Sequence, residues 1–240
     1  MFGISTFCLH AKPLPDALGE LSQITGYVEV MDEGLHALDG AGVLEQYSLK
    51  YSIHAPSRGT NLASLLEPIR RASVEVMEEC FTVAAEVNAD VVVHPGYFAW
   101  QEERQKAERQ FMRSRDELAA IASDLSVAFA FENMGDWEYF LLKCPEEIPL
   151  IGDCNFALDV GHAHQNHCLA EFLKVPASHY HLHDNNASAD SHDPVGKGTI
   201  PFPDVIAAVK KSGVTPVIEV ATYEGTLESI RTLEAFYRSG

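Results

Sequence analysis

Short runs rich in apolar and β-branched residues recur along the chain at residues 3–8, 26–31, 50–54, 91–94, 127–132, 155–159, 180–183 and 216–220. Several are continuously apolar over four or five positions, the pattern of parallel strands covered on both faces. Between them, residues 62–87, 101–123, 203–212 and 226–238 carry helical periodicity. Within 68–87 the spacing places Ile69, Ala72, Val76, Cys80, Val83 and Ala84 on one stripe, with Pro68 in the first helical turn. Eight strands, each followed by a helix or loop and with no Pro/Gly/Ser-rich linker, predict a single-domain (β/α)8 TIM barrel over residues 1–240. An open, doubly wound sheet is the competing arrangement. The longest polar stretch, 184–198, follows the seventh strand and in a barrel lies at the catalytic face.

Composition narrows the function classes. With 46% hydrophobic and 22% charged residues over 240 positions, the chain buries a substantial core and is neither fibrous nor disordered. Lys and Arg total 17 against 35 Asp and Glu, a formal charge of −18. A long-range basic field for gathering nucleic acid is therefore absent, which leaves a local cationic or metal-lined site. No stretch approaches the length of a membrane span, and the first residues lack a secretory signature. The five cysteines (Cys8, Cys80, Cys144, Cys154 and Cys168) are scattered, with no Cys-x-x-Cys pair. That argues against a disulfide framework or a cysteine zinc site and makes a reducing cytoplasm the expected compartment.

The eleven histidines change the picture. From the third onward, the strands end in metal-binding side chains. These are His54, His94, Glu132, Asp159 with His162, His181 with His183 and Asp184, and Glu219; Asp190 and His192 stand in the loop after the seventh strand. Singly, each has an ordinary reading as a hydrogen-bonded structural histidine or a helix-capping acid. Together they are harder to explain, because the carboxyl ends of barrel strands converge on one mouth. So many ionisable groups in one small volume would be costly without compensation. A divalent cation resolves the conflict, and His with Asp or Glu is ligand chemistry for zinc, manganese or iron rather than calcium.

These residues resemble the xylose isomerase-like barrel superfamily, and within it the endonuclease IV branch (AP endonuclease family 2). His54-Ala-Pro followed by Asn61-Leu-Ala-Ser resembles that branch's third-strand motif, and His94-Pro-Gly its fourth. Glu132-Asn resembles the fifth, Asp159-x-x-His162 the sixth, and His181-Leu-His-Asp184 the seventh. Asp190-x-His192 with Gly196-Lys-Gly198 resembles the branch's loop, and Glu219 its last-strand glutamate. Two departures stand out: Met134-Gly135-Asp136-Trp137 replaces the usual Ala-Gly, and His183 stands where the branch has Asn.

The resemblance implies two chemistries. In the first, up to three zinc ions held by His54, His94, Glu132, Asp159, His162, His181, Asp190, His192 and Glu219 hydrolyse a phosphoester in a small phosphorylated molecule or damaged DNA. In the second, one ion, manganese or similar, is held by Glu132, Asp159, His181 and Glu219. Glu132 and Glu219 then act as the acid/base pair of a sugar or sugar-phosphate isomerase or epimerase. A barrel that only stores or senses metal is a third, non-enzymatic reading. Arg58 and Lys197 are candidate contacts for an anionic substrate. Tyr97, Phe98, Trp100 and Trp137 follow strands four and five, as a stacking wall or as packing beneath loops. His179 is expected deep in the barrel, His164 and His167 in solvent, and His10 and His36 near the mouth without a role.

Overall fold

The computed structural model describes residues 2–239. All eight expected strands form: β1 (Gly3–Ser5), β2 (Tyr27–Met31), β3 (Lys50–His54), β4 (Asp90–Val93), β5 (Phe129–Glu132), β6 (Asn155–Asp159), β7 (His179–Leu182) and β8 (Val217–Ile218). They run parallel in chain order, and β8 closes on β1 through Gly3↔Val217 and Ile4↔Ile218. Closure excludes the open sheet and establishes the (β/α)8 barrel. The helices are α1 (Leu14–Leu21), α2 (Glu67–Val87), α3 (Arg104–Leu125), α4 (Val160–Gln165), α5 (Leu169–Phe172), α6 (Phe202–Ser212) and α7 (Tyr223–Ser239). After β2 and β5, 3₁₀ turns (Gly34–His36 and Ala41–Gln46; Pro145–Ile151) stand where a helix would otherwise lie.

The apolar core lies outside the sheet. Ile4, Val28, Val30, Tyr51, Ile53, Val91, Val93, Phe129, Phe131, Phe156, Leu158, Tyr180, Leu182 and Ile218 all belong to one buried cluster between strands and helices. Alternate positions point into the barrel, as a period of two requires. There the aliphatic filling is slight, a small separate cluster of Val92, Ala130 and Ala157. Polar groups fill much of the rest: Ser52, Glu29, His179 and His181 are all buried. The strands that read as continuous apolar runs thus separate into an outward apolar row and an inward row that turns polar toward the mouth.

Helix α2 differs from its expected form. It begins at Glu67, not at residue 62, and Pro68 occupies its first turn as expected. Residues 62–66 instead form part of the mouth, where Asn61 Oδ1 accepts hydrogen bonds from the Ala63 and Tyr97 amides, both at 3.0 Å. The buried stripe is also rotated. Ile69 is exposed, whereas Arg70, Ser73, Val74, Met77, Cys80, Phe81 and Ala84 are buried. Arg70 is 2% exposed because Glu67 (2.8 Å), Glu117 (3.1 Å) and Ser114 (3.1 Å) surround its guanidinium. A hydrophobicity count treats arginine as a surface residue and misses a face that buries one with its partners.

Candidate metal centre

The nine candidate ligands converge at the carboxyl end of the barrel. Their donor atoms form three sets, in each of which all atoms lie within 4.8 Å of one another: His54, His94 and Glu132; Glu132, Asp159, His181 and Glu219; and His162, Asp190 and His192. Glu132 belongs to two sets. Its Oε1 is 2.5 Å from His181 Nδ1, and its Oε2 lies 2.9 Å from His94 Nε2 and 3.4 Å from His54 Nε2. Around His181 Nδ1, Glu219 Oε2 stands at 3.5 Å and Asp159 Oδ2 at 3.8 Å. In the third set, Asp190 Oδ2 is 3.1 Å from His162 Nε2 and 3.2 Å from His192 Nε2.

Backbone carbonyls choose which nitrogen of each ring faces the centre. His54 Nδ1–H donates to the Ala55 carbonyl (3.0 Å), His162 Nδ1–H to that of Asn133 (2.8 Å) and His192 Nδ1–H to that of Glu219 (2.8 Å). A carbonyl only accepts, so in all three rings Nδ1 carries the proton and Nε2 is presented inward. The Asn133 side chain closes β5 onto β6, bonding the Asp159 carbonyl (2.9 Å) and amide (2.8 Å). Asp159 Oδ1 accepts from the His162 amide at 2.7 Å, so the sixth-strand acid also caps α4. His192 holds a left-handed φ of +46°, a strained conformation for a residue other than glycine and one often found at functional sites.

Two further residues belong to this architecture. Glu29, fully buried in the middle of β2, accepts His181 Nε2–H on Oε1 at 2.7 Å. Its Oε2 accepts the Ser52 hydroxyl at 2.9 Å and lies 2.9 Å from His179 Nε2. It fixes His181 with Nδ1 toward the centre. Its signal in the sequence is the lone acid of Tyr27-Val-Glu-Val-Met31 inside an apolar strand, which the strand-end pattern passes over because Glu29 stands mid-strand. His183 Nε2 lies 3.1 Å from both Asp159 oxygens, and its ring stacks on His192 at 3.9 Å.

Opposed charges set the protonation states. Burial alone would raise the Glu132 carboxyl, but His181, with His54 and His94, outweighs it and holds the group well below the ordinary range. Burial likewise opposes ionisation of Glu29 and Asp159; facing imidazoles keep Glu29 well below and Asp159 below their usual values. Burial disfavours charge on His54 and His192, yet Glu132 for the first and Asp190 for the second carry each to about 9. His94 is lowered, chiefly by burial. The centre is therefore a buried array of carboxylates balanced by imidazolium protons, and such protons are displaced when a cation binds.

The remaining candidates scatter. Arg58 stands at the rim with its side chain 85% exposed and Nε 3.5 Å from Glu33. Lys197 is directed to helix α7, its ammonium 2.6 Å from Glu228. His179 lies inside the barrel as expected. His36 is buried and bonded to Thr6 and the Lys12 carbonyl, and His10 is exposed; both border a cavity of about 970 Å³ beside β2. His167 is exposed, whereas His164, expected in solvent, bonds Thr199 Oγ1 at 2.8 Å. Phe98 packs in the core, while Tyr97, Trp100 and Trp137 are exposed. All five cysteines are free, and among the described residues no helix is long and apolar enough to cross a membrane.

The sequence profile of the xylose isomerase-like TIM barrel (AP endonuclease 2) family matches residues 27–237. The chain belongs to that family. An uncharacterized protein of Methanocaldococcus jannaschii is 33% identical over 91% of this chain and 91% of its own. A probable endonuclease 4 of Mycobacterium leprae is 27% identical, covering 80% of this chain and 81% of its own. The crystal structure of a D-tagatose 3-epimerase-like protein superposes with a TM-score of 0.91 at 26% identity, covering 99% of this chain and 97% of that one. A Thermus thermophilus protein soaked with ZnCl2 shares the fold at 22% identity, with a TM-score of 0.79 over 100% and 98% of the two chains. The motif resemblance to the xylose isomerase-like barrels, with its weaker link to endonuclease IV, is thus met.

Proposed function

We propose that this protein is a divalent-metal-dependent phosphoester hydrolase whose centre holds two or three cations, zinc foremost. The carrying observation is that nine ligand-type side chains fall into three contiguous sets, not one. A buried atom supports the fit: Glu132 Oε2 has no hydrogen-bond partner and lies between the inward-facing His54 and His94 nitrogens. Nitrogen and carboxylate donors in groups of three and four suit zinc or manganese.

In this reading His54, His94 and Glu132 hold one cation; Glu132, Asp159, His181 and Glu219 hold a second; His162, Asp190 and His192 hold a third. Cations bound there would supply Lewis acidity toward phosphate oxygens and a lowered pKa for water. The chain's own contribution is positional. Glu132 joins two of the sets, so both are held at one spacing, and Glu219 shares the second set with it, both carboxylates lying near His181 Nδ1. The carbonyl-tethered rings of His54, His162 and His192 and the Glu29-tethered ring of His181 need no reorientation to ligate, which keeps the mouth preorganised. Arg58 at the rim is the anion contact in this proposal. Lys197 would first have to leave Glu228.

A second reading, a sugar epimerase or isomerase, is favoured by the likeness to the D-tagatose 3-epimerase-like structure and by the compact four-donor set. Glu132 and Glu219 would move the proton there, with the His54 and His94 rings set beside Glu132 Oε2. Metal analysis of protein loaded with zinc or manganese, followed by assay on phosphoesters, abasic-site DNA and a ketose panel, separates the two. Two or three ions per chain with phosphoester cleavage is the expected result. One ion per chain with ketose epimerisation overturns the hydrolase.

A further inference from the structure

A cleft of about 360 Å³ opens beside the first donor set, bordered by Arg58, His94, Gly96, Tyr97, Trp137 and Phe140. Two of its rings are unusually exposed, Tyr97 at 38% and Trp137 at 45%, with centroids 5.4 Å apart and tilted by 60°. Phe140 packs edge-on against Trp137 at 4.9 Å. These are not loose loop residues. Tyr97 and Phe140 form an antiparallel bridge between the loops after β4 and β5, and the Phe98 amide donates to the Tyr139 carbonyl at 3.0 Å. The Asn61 carboxamide clasps the Tyr97 amide and carbonyl, both at 3.0 Å. Gly96, at φ +95°, lets that clasp form; a Cβ there would stand 2.5 Å from Asn61 Oδ1. The loops are pinned, yet ring surface stays uncovered next to His94.

The polar groups of the cleft indicate which ring it accepts. A sugar needs several donors and acceptors for its hydroxyls. Here Ser57 Oγ–H is donated to Glu33 (3.0 Å), in the loop after β2, and Thr60 Oγ1–H to the Pro56 carbonyl (2.9 Å), so both hydrogens are already used. What remains is mostly aromatic surface, whose polar groups are the Tyr97 hydroxyl, the Trp137 indole N–H, His94 and the exposed Arg58 guanidinium beside Glu33, a lining that suits stacking on a planar ring attached to an anion. The net charge of −18 disfavours a long polyanion.

We propose that this cleft is a base-binding subsite for a single nucleotide: the base stacks on Trp137 and Tyr97, and the phosphate lies toward His94 and Arg58. The proposal rests on the phosphoester reading for the identity of the anion, and it deepens that reading by naming a substrate class.

The test is binding, read without turnover. In Trp100→Phe protein, Trp137 is the only indole, because the chain has two tryptophans. Zinc-loaded protein is titrated with 2′-deoxyadenosine 5′-monophosphate, 2-deoxyribose 5-phosphate and a deoxyadenylate ten-mer, by calorimetry and by Trp137 emission. The expected result is saturable quenching by the nucleotide, with affinity about tenfold or more above that for the base-free sugar phosphate. Calorimetry on Trp137→Ala and Tyr97→Ala should show that advantage shrinking, with Trp137→Phe retaining most of it. Equal affinities with and without the base, or nucleotide binding that leaves Trp137 emission unchanged, overturns the subsite. A ten-mer that binds tenfold tighter than the mononucleotide overturns the single-nucleotide assignment. Failure of the hydrolase reading is distinguishable: the nucleotide then binds and quenches as stated but is not cleaved.

Discussion

His181 shows how a hydrogen bond on the far side of a ring decides which nitrogen meets a ligand. Its Nε2–H is donated to Glu29, so Nδ1 is the atom left for Glu132, Asp159 and Glu219. Glu29→Gln should keep the fold while weakening zinc affinity about 10- to 100-fold, measured by competition with a chromogenic chelator and with circular dichroism as the control. Unchanged affinity would show that the ring is held by packing alone. The histidines also give a pH prediction. His54 and His192 titrate near 9 in the metal-free protein, above the roughly 6.5 of an unfolded imidazole. A raised folded pKa contributes stability that is full below the unfolded value and lost as pH rises through the folded one. Chelated protein should therefore lose urea stability between about pH 6.5 and 9. Zinc affinity should move oppositely, rising with pH as the competing protons leave. At this scale most candidate ligands were readable from the sequence because they stand at or just after a strand end, with Asp190 and His192 in the loop after β7. Glu29 was not, because only the closed barrel brings the middle of β2 against β7.

At the scale of elements, close approach matters more than propensity. Helix α4 starts directly from β6, and Gly161 in its first turn lies against His183 of the seventh-strand segment. A Cβ on Gly161 would stand 1.9 Å from the His183 ring. Gly161→Ala should cost about 1–3 kcal/mol in urea unfolding and displace His183 from Asp159. A neutral result would mean that the His183 ring rotates away freely. The strands were legible: β3 and β6 fall on the expected residues, because each reads as a short apolar run ending in a polar ligand. Helix α2 was less so. Its first turn waits for Glu67, and its buried face includes Arg70, whose partners Ser114 and Glu117 lie on α3, far along the chain. No periodicity within α2 contains that information.

For the whole molecule, the acidic balance and the proposed cation centre would act at different ranges. With 35 acids against 17 Lys and Arg, distant attraction to a phosphate backbone is unfavourable, while contact with cations held at the mouth, as proposed, would not be. Undamaged duplex DNA should therefore bind more weakly than about 10⁻⁴ M at physiological salt, as measured by fluorescence anisotropy. Micromolar binding that falls steeply with salt would reveal a basic track that the net charge conceals.

By itself the sequence determined the order of strands and helices and the donor residue types, since apolar rhythm and side-chain chemistry are local properties. Tertiary structure alone decided that these donors form three sets, two of them sharing Glu132, that Glu29 supports His181 from below, and that Lys197 turns to Glu228 while Arg58 stays at the rim. Those outcomes depend on barrel closure and on the paths of the loops after β3, β4, β5 and β7. Both are fixed by contacts between residues tens to more than a hundred positions apart, which no stretch of sequence displays.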